Sequence, residues 1–384
     1  MNAEIISIGT ELLLGHIVNT NAAFLSRKLA EIGIDVYHTS VVGDNPGRLT
    51  HAIKQAVHRS DIVIMTGGLG PTVDDITVET INALRPENIK WIKNKAGTAP
   101  GLVTEYRGKI IVCLPGPPRE LEPMFDKAIL PYLRRGRLNV PCSVDNCRSW
   151  IIKSRTIKIT GLPESLVNNK VKDLLKLRPP TTVGIYAKLG QVELKIMSKA
   201  KNEKEAGRAI ASIERKIRSR LKDHIFGYDD ETLEGAAAKL LTGKKRTVAV
   251  AESCTGGLLS NRLTNISGSS KYFIMGLIAY SNEVKKNILC VDPEVLKIYG
   301  AVSKQAAGQM AFGIKFLAGT DIGVGITGIA GPKGATKSKP AGLVHIALAI
   351  GNRLITRELR FRGSREEIKF QASQTALDLI RKNI

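Results

Sequence analysis

Short hydrophobic runs alternate with longer amphipathic stretches along the first part of the chain. Residues 5–8 and 61–66 are apolar runs of strand length. Residues 21–32, which end at Gly33, and residues 49–57 carry apolar side chains at helical spacing. Strands separated by helices in this way are typical of a parallel sheet with right-handed crossovers. Such sheets bind ligands beyond the carboxyl ends of their strands, and we expect a site there.

The hydrophobic pattern changes after residue 150 and predicts a small α+β module. Its strand-like and helical segments are residues 155–159, 163–175, 181–186 and 191–197. A longer helix follows, with apolar Ala206, Ile210, Ile213, Ile217 and Leu221 on one face and basic Arg208, Arg215, Arg218 and Lys222 elsewhere. Modules of this kind can bind RNA, but no GXXG loop lies between two helices here. A structural or interdomain role is therefore favoured over nucleic-acid binding.

The acidic, polar stretch at residues 228–232 is typical of a linker, and the segment after it again alternates helices and strands. A chain of 384 residues is too long for one ordinary domain. We therefore predict an α/β domain at 1–149, a small α+β module at 150–227 and a second α/β domain at 233–384.

The net charge of +22 is distributed unevenly, because residues 1–150 account for +2 and residues 151–384 for +20. A basic surface suggests polyanionic partners or phosphorylated substrates. A general excess of Lys and Arg on solvated faces explains the charge slightly better. With 43% hydrophobic residues the chain can bury sizeable cores, and no apolar run is long enough to span a bilayer.

The N-terminus and the cysteines favour a cytoplasmic protein. Residues 1–6 begin directly as a strand, without the charged region and cleavage site of a signal peptide. The cysteines are odd in number and form no C-x-x-C pair, so reduced thiols fit best. They are Cys113, Cys142, Cys147, Cys254 and Cys290. We also expect a homodimer, with no membrane contact.

The most informative stretch is the run at 247–257, where a β-branched strand ends in Glu252-Ser253 and two glycines lead into a helix. A serine in such a turn lies beside backbone N–H groups that have no partner in the helix, and these can hold an oxyanion. The glycines let the backbone approach a ligand closely. This pattern predicts a nucleophile, with helix capping by Ser253 as the alternative.

Further clusters supply chemistry that would suit a serine nucleophile. Lys285 could take the serine proton, Tyr280 offers a phenol donor and Arg365 a cation for an anionic group. Residues 325–332 run from a strand into a Gly-rich turn that contains Thr327. The alternatives are that Lys285 lies on a solvated face and that the turn is only structural. No histidine falls in these clusters, and His345 lies in an apolar strand and is interpreted as structural, which disfavours a Ser–His–Asp triad.

The first domain has its own ordered clusters, and a Gly-rich turn that follows a strand can cradle a phosphate. They are residues 9–15, 42–45, 66–75 and 114–121. The adjacent carboxylates Asp74 and Asp75 could hold a Mg²⁺-type cation through oxygen ligands. Alternatively, they cap a helix that starts at Ile76, and the prolines of the last cluster make a rigid turn.

From residue 248 to the end, the chain resembles the C-terminal domain of the competence/damage-inducible CinA family, the nicotinamide mononucleotide (NMN) deamidase called PncC. The shared motifs are AESCTGG, YSNExK ending at Lys285, GAVS at 300–303, TGIAGP, PAGLV at 340–344 and GSR at 363–365. The resemblance implies hydrolysis of the NMN amide to the acid with release of ammonia, without a cofactor. Ser253 would attack, Lys285 would activate it, and Tyr280 and Thr327 would position groups. Arg365 would contact the phosphate. The other substrate-binding residues would be Thr255, Gly256, Gly257, Asn282 and Gly328.

Residues 1–137 resemble the molybdopterin-binding, MogA/MoaB-like domain that opens full-length CinA proteins, a three-layer α/β fold. This resemblance implies a second site, linked in the family to metal-dependent hydrolysis of ADP-ribose, with Asp75 as a ligand of Mg²⁺ or a similar ion. The site residues would be Thr10, Glu11, Asp44, Gly67, Gly68, Asp75 and Glu120. YAKLG at 186–190 also matches the small α+β module of the family.

The chain departs from the family pattern in one place. In relatives, a helical stretch separates the TxDDxTxE region from the strand ahead of GTAPG, whereas here residues 77–81 run almost directly into 82–86 and 94–101. The sequence therefore predicts that a piece of the first domain near its cleft is missing.

Together these observations predict an NMN amidohydrolase of Ser/Lys type that acts on small nucleotides. The first alternative is an ADP-ribose pyrophosphatase in the first domain. The second is a non-enzymatic, competence-linked protein that binds nucleotides or nucleic acid, which we rank last.

Overall fold

The protein is described from a computed structural model that covers residues 1–70, 72, 75–134 and 151–384. The predicted boundary at residue 149 lies outside these residues, as do Asp74, Cys142 and Cys147. The chain divides into two compact units, one of Met1–Lys153 with Ser198–Ala209 and the other of Ser154–Met197 with Ile210–Ile384.

The first unit is built on a mixed sheet with strand order β2-β1-β3-β6-β5-β4. Its strands are β1 (Asn2–Ile8), β2 (Asp35–Val42), β3 (Ile62–Thr66), β4 (Glu87–Ile92), β5 (Gly101–Tyr106) and β6 (Lys109–Leu114). Its helices are α1 (Thr10–Leu13), α2 (Thr20–Glu31), α3 (Pro46–Arg59), α4 (Thr77–Ala83), α5 (Pro118–Met124) and α6 (Leu130–Arg134). The predicted alternation of strands and helices holds from β1 to α4, but β4, β5 and β6 follow one another without a helix between them.

The predicted parallel pairing is confirmed for β2, β1, β3 and β6 but not for the other two strands. β5 pairs antiparallel with β6 and β4 pairs antiparallel with β5. Arg107 and Gly108, which join β5 to β6, have φ angles of 53° and 72°. A two-residue turn with positive φ at both positions matches the twist of a hairpin, so β5 and β6 run in opposite directions.

Residues of the central strands alternate between two hydrophobic cores, one on each face of the sheet. Ile5 and Ile64 pack with Leu25 of α2 on one face. Ile6 and Met65 pack on the other face with residues of α3. Because helices cover both faces, these strands are apolar throughout instead of alternating with polar residues. The predicted three-layer α/β fold is therefore confirmed.

The small α+β module has a sheet with strand order β10-β7-β9-β8. Its elements are β7 (Ile151–Ile159), α7 (Glu164–Val171), β8 (Thr181–Lys188), β9 (Gln191–Ala200), α8 (Glu203–Leu221) and β10 (Ile225–Tyr228). The apolar face predicted for α8 is buried. The predicted linker is ordered, since Tyr228 ends β10, Asp229 pairs with Arg155, and Thr232 caps the next helix. Polar side chains of residues 228–232 therefore form hydrogen bonds and an ion pair within the fold.

The C-terminal domain has a mixed sheet with strand order β12-β11-β13-β14-β15. Its strands are β11 (Val248–Glu252), β12 (Phe273–Ile278), β13 (Ile322–Gly328), β14 (Leu343–Ile350) and β15 (Arg353–Arg360). Its helices are α9 (Leu233–Gly243), α10 (Leu258–Thr264), α11 (Asn282–Asn287), α12 (Pro293–Ile298), α13 (Lys304–Ala318) and α14 (Arg365–Asn383). β11 is parallel to both β12 and β13, so their carboxyl ends meet at one edge.

The two faces of this sheet are packed differently. One face carries the main core, formed with α9, α10 and α14. On the other face α13 lies directly against β13. Gly325 allows this close approach, since a Cβ at its position would be only 2.2 Å from the Ala307 carbonyl oxygen. Within the part of the chain that the structure describes, no helix is long and apolar enough to cross a membrane.

Candidate active site

Ser253 lies at the carboxyl end of β11, in the turn predicted from the sequence. Its N–H donates to the Ile326 carbonyl oxygen (2.9 Å), which extends the pairing of β11 with β13 by one residue. Gly256 and Gly257 have φ angles of 62° and 92° and lead into α10. The N-cap of α10 is Gly257. The alternative that Ser253 only caps this helix is therefore wrong, and its hydroxyl is left for other contacts.

The side chain that caps α10 is Glu252. Its carboxylate is fully buried and accepts hydrogen bonds from the N–H groups of Gly257, Leu259 and Ser260 and from the Ser260 hydroxyl (2.7–3.1 Å). A negative side chain is stabilised by the N–H groups and dipole of a helix N-terminus. Glu252 thus holds the serine turn against the helix. The sequence interpretation gave it no role, although an acid at a strand end just before a helix is a recognisable signal.

Lys285 reaches Ser253 from α11, and the structure buries it. Its exposed fraction is 1%, and its Nζ lies 3.3 Å from the Ser253 Oγ. The same Nζ lies 2.7 Å from the Ala279 carbonyl oxygen and 3.1 Å from that of Tyr280. The alternative of a solvated lysine is therefore wrong.

The surroundings of Lys285 favour its neutral form. Burial lowers the pKa of its amine, because a charged ammonium loses its hydration there. A neutral amine has two N–H groups and one lone pair. As an ammonium, Lys285 donates to the Ser253 Oγ and to both carbonyl oxygens. In the neutral form its two N–H groups would serve the carbonyl oxygens, and its lone pair would face the Ser253 hydroxyl. This is the arrangement that a Ser/Lys nucleophile requires.

Arg365 and Tyr280 meet beside this pair. Arg365 is the first residue of α14, and its guanidinium donates to the Gly331 carbonyl oxygen (2.7 Å) and to the Tyr280 hydroxyl (3.4 Å). Tyr280 is 64% exposed, so its ring faces solvent while its carbonyl contacts Lys285. The structure thus brings Ser253, Lys285, Tyr280 and Arg365 into one connected group.

Two buried threonines belong to the same edge of the sheet. Thr327 follows Ile326 on β13, and its hydroxyl donates to the Ala301 carbonyl oxygen (2.8 Å) in the loop before α13. The Thr255 hydroxyl is buried two residues after Ser253 and has no hydrogen-bond partner among the described residues. Buried hydroxyls without a partner are rare, which makes Thr255 a candidate donor to a ligand.

The other predicted residues of this site have simpler surroundings. Asn282 is exposed at the first position of α11. A Cβ on Gly328 would be 2.7 Å from the Leu343 carbonyl oxygen, so β13 and β14 approach too closely for a side chain.

His345 is buried opposite Thr327 in β14, and burial lowers its pKa. Burial also raises the pKa of the Cys254 thiol to about 12, so this neighbour of Ser253 stays protonated near neutral pH.

The residues predicted for the first domain fall into separate small groups. The Asp44 carboxylate accepts from the backbone N–H and the hydroxyl of Thr10 (2.9 and 2.8 Å). Glu120 is buried and accepts from the Asn94 amide (2.8 Å). Gly67 has a φ of 101°, and a Cβ there would lie 2.3 Å from the Ile8 carbonyl oxygen. Gly68 has a φ of 66°, and a Cβ there would lie 2.4 Å from the Thr77 hydroxyl oxygen. Glu11 is exposed beside Gly9.

Asp75 binds within its own turn. Its carboxylate accepts from the backbone N–H and the hydroxyl of Thr72. Burial raises the pKa of this carboxyl, but the hydrogen bonds from Thr72 outweigh burial and lower it. The N-cap of α4 is Ile76, so Asp75 does not cap that helix. Among the described residues, no group of three His, Cys, Asp or Glu side chains could hold a metal ion. The role of Asp75 as a metal ligand stays a prediction.

The fold and the serine–lysine pair define a multidomain α/β protein whose site lies at the carboxyl edge of its C-terminal sheet. The sequence pattern of the CinA C-terminal domain matches residues 230–384. The patterns of a probable molybdopterin binding domain and of the damage-inducible protein CinA KH domain match residues 4–135 and 154–227. The chain belongs to the CinA family.

Whole-chain relatives agree with this assignment. The chain is 42% identical to a putative competence-damage inducible protein of Acetivibrio thermocellus and 44% identical to a CinA-like protein of Dictyoglomus turgidum, in each case over 100% of this chain and 99% of the relative. These alignments span 419 and 420 positions, so the relatives contain residues that this chain lacks. A crystal structure of competence/damage inducible protein CihA from Agrobacterium tumefaciens is 40% identical and covers 38% of this chain and 90% of that one (TM-score 0.38).

Proposed function

We propose that the C-terminal domain hydrolyses the carboxamide of NMN, giving nicotinate mononucleotide and ammonia. The observation that carries this proposal is the contact of a buried lysine amine with the Ser253 hydroxyl (3.3 Å), in a turn that also contains the unpartnered Thr255 hydroxyl. Amide hydrolysis needs a nucleophile, a group that moves protons and donors for the oxyanion. Ser253, Lys285 and Thr255 would supply these three functions, and their contacts support the proposal.

In the first half of the reaction, the Ser253 oxygen attacks the amide carbon while the neutral Lys285 amine takes the hydroxyl proton. The resulting oxyanion would accept hydrogen bonds from the Thr255 hydroxyl and from N–H groups of the turn other than those of Gly257, Leu259 and Ser260, which donate to Glu252. Lys285, now an ammonium held by two carbonyl oxygens, returns the proton to the amide nitrogen. The C–N bond breaks, ammonia leaves and an ester on Ser253 remains.

In the second half, water replaces ammonia. Lys285 takes a proton from the water as its oxygen attacks the ester carbon, and the oxyanion forms again in the same place. Collapse breaks the bond to Ser253, and Lys285 returns the proton to the serine oxygen. The carboxylate product is released and the free serine is restored, so one water is consumed for each ammonia produced.

The test is ammonia release from NMN together with identification of nicotinate mononucleotide. Replacing Ser253 by Ala should lower turnover by several powers of ten, because the covalent intermediate can no longer form. The matched control is Ser269→Ala in the short helical turn before β12, which should leave turnover unchanged. Equal turnover by the wild-type protein and Ser253→Ala would show that Ser253 is not the nucleophile.

A further inference from the structure

A second basic side chain of α14, Lys369, also faces the serine turn. It lies one helical turn after Arg365, and positions four residues apart share a helix face. Its Nζ is 3.6 Å from the position that a Cβ would occupy on Gly256. The ammonium group therefore lies over the turn that contains Ser253, on the side where Gly256 leaves the backbone uncovered.

Lys369 is a cation without a counter-ion. Among the residues that the structure describes, its ammonium forms no ion pair and no hydrogen bond. Three acids come into question as partners. Glu252 caps α10 and Glu367 accepts from the Ser364 N–H, while Glu366 is exposed on α14 and forms no ion pair with Lys369 within 4.0 Å among the described residues. A half-buried ammonium with no partner leaves room for an anionic ligand.

Arg365 complements Lys369 chemically. Its planar guanidinium suits two oxygens of a phosphate, whereas a lysine ammonium acts as a compact point charge. Two nitrogens of the Arg365 guanidinium donate to the Gly331 carbonyl and to the Tyr280 hydroxyl, and these bonds fix its orientation. The guanidinium has five N–H groups, so further donors remain for a ligand. Two cations on one helix face, both beside the serine turn, match the two negative charges of a phosphate monoester.

We propose that Lys369 is a specificity-determining residue that binds the substrate phosphate together with Arg365, so that the site selects phosphorylated nucleosides over the free nucleoside. The inference rests on the proposed amide hydrolysis and adds the part of the substrate that the serine and the lysine do not contact.

The experiment compares NMN with nicotinamide riboside as substrates of the full-length wild type, Lys369→Gln and Lys369→Arg. The matched control is Lys239→Gln, an exposed lysine on α9. Loss of a charge-assisted hydrogen bond should lower kcat/KM for NMN by about ten- to a hundredfold. The same variant should change kcat/KM for nicotinamide riboside by less than about twofold, because that substrate has no phosphate. Lys369→Arg should restore most of the preference for NMN, since the positive charge is kept.

An equal fall on both substrates, or none on NMN, would overturn the role of Lys369 while leaving the deamidase proposal intact. If the wild type released ammonia from neither substrate, the deamidase proposal would fail. The increase in unfolding temperature on addition of ribose 5-phosphate (thermal protection) would then show whether Lys369 binds a phosphate. Protection of the wild type that disappears in Lys369→Gln and persists in Lys239→Gln supports it. Protection that is absent, or the same in all three proteins, overturns it.

Discussion

At the scale of single residues, the least ordinary side chain is Lys285. A lysine is rarely buried without a carboxylate partner, because taking an ammonium out of water is costly. Here an exposed fraction of 1% is combined with two carbonyl oxygens and one serine hydroxyl. Both the ammonium and the neutral amine can satisfy these three contacts, but the ammonium gains no counter-charge from them, and burial lowers its pKa. This lowered pKa is what the proposed role of Lys285 as a base requires.

The pH dependence of ammonia release tests this role. Only the neutral amine can take the serine proton, so kcat/KM should rise with pH as Lys285 loses its proton. Burial lowers the pKa of this group from the ordinary lysine value of 10.5, which moves the rise to lower pH. Lys285→Arg, which cannot be deprotonated in this range, should lose about a hundredfold or more of its activity.

The control is Lys286→Arg, at the next position of α11 but exposed, which should keep the wild-type profile. A rate that is independent of pH, or that survives in Lys285→Arg, would exclude Lys285 as the base.

At the scale of elements, the position of α10 depends on a single capping side chain. Glu252 belongs to β11 yet accepts from the N–H groups at the start of α10, so it joins the strand and the helix on either side of the serine turn. Arg262 then ties α10 to other helices, because its guanidinium donates to Ser373 and Gln374 of α14 and to Glu234 of α9. Charge-assisted hydrogen bonds thus hold α10 at both of its ends.

Replacing Glu252 by Gln should lower the free energy of unfolding of the C-terminal domain by about 2–4 kcal/mol, since charge-assisted hydrogen bonds are lost and an amide N–H₂ faces N–H donors. Urea unfolding measures the change. Glu283→Gln, on the exposed side of α11, is the matched control and should change stability by less than about 0.5 kcal/mol. Similar stabilities for the two variants would mean that the cap contributes little.

At the scale of the whole molecule, the chain has separate hydrophobic cores. The clusters around β1 and β3 are formed by residues between Ala3 and Leu133. The main cluster of the C-terminal domain is formed by residues from Phe226 onward. Each sheet therefore has its own apolar interior, and a cavity made in one core leaves the packing of the other as it is.

Ile64→Ala tests this separation. Ile64 is fully buried in β3, and such a truncation costs about 2–5 kcal/mol. The unfolding transition of the first unit should move to lower temperature, while ammonia release from NMN below that transition should stay at the wild-type rate. Val324→Ala in β13 makes the corresponding cavity in the C-terminal core and should lower the other transition. Loss of activity in Ile64→Ala at temperatures where the first unit is folded would contradict the independence of the cores.

Local sequence was sufficient for most of the elements and for the location of the serine turn. Apolar periodicity and turn-forming glycines act over a few residues, so β1, β3, α8 and the segment from β11 to α10 lie where the pattern predicts them. The antiparallel ends of the sheets were not predicted, because strand direction depends on which neighbour a strand finds.

The chemistry of the candidate site required the tertiary structure. The residue types of Ser253, Lys285, Tyr280 and Arg365 could be selected from the sequence, but their alternatives, a capping serine and a solvated lysine, could not be excluded there. Lys285 is 32 positions from Ser253, and Arg365 is 85 positions from Tyr280. Burial and hydrogen-bond partners at such separations arise only when distant elements pack together. The packing therefore buries Lys285, which lowers the pKa of its amine, and leaves the Ser253 hydroxyl free of a capping role.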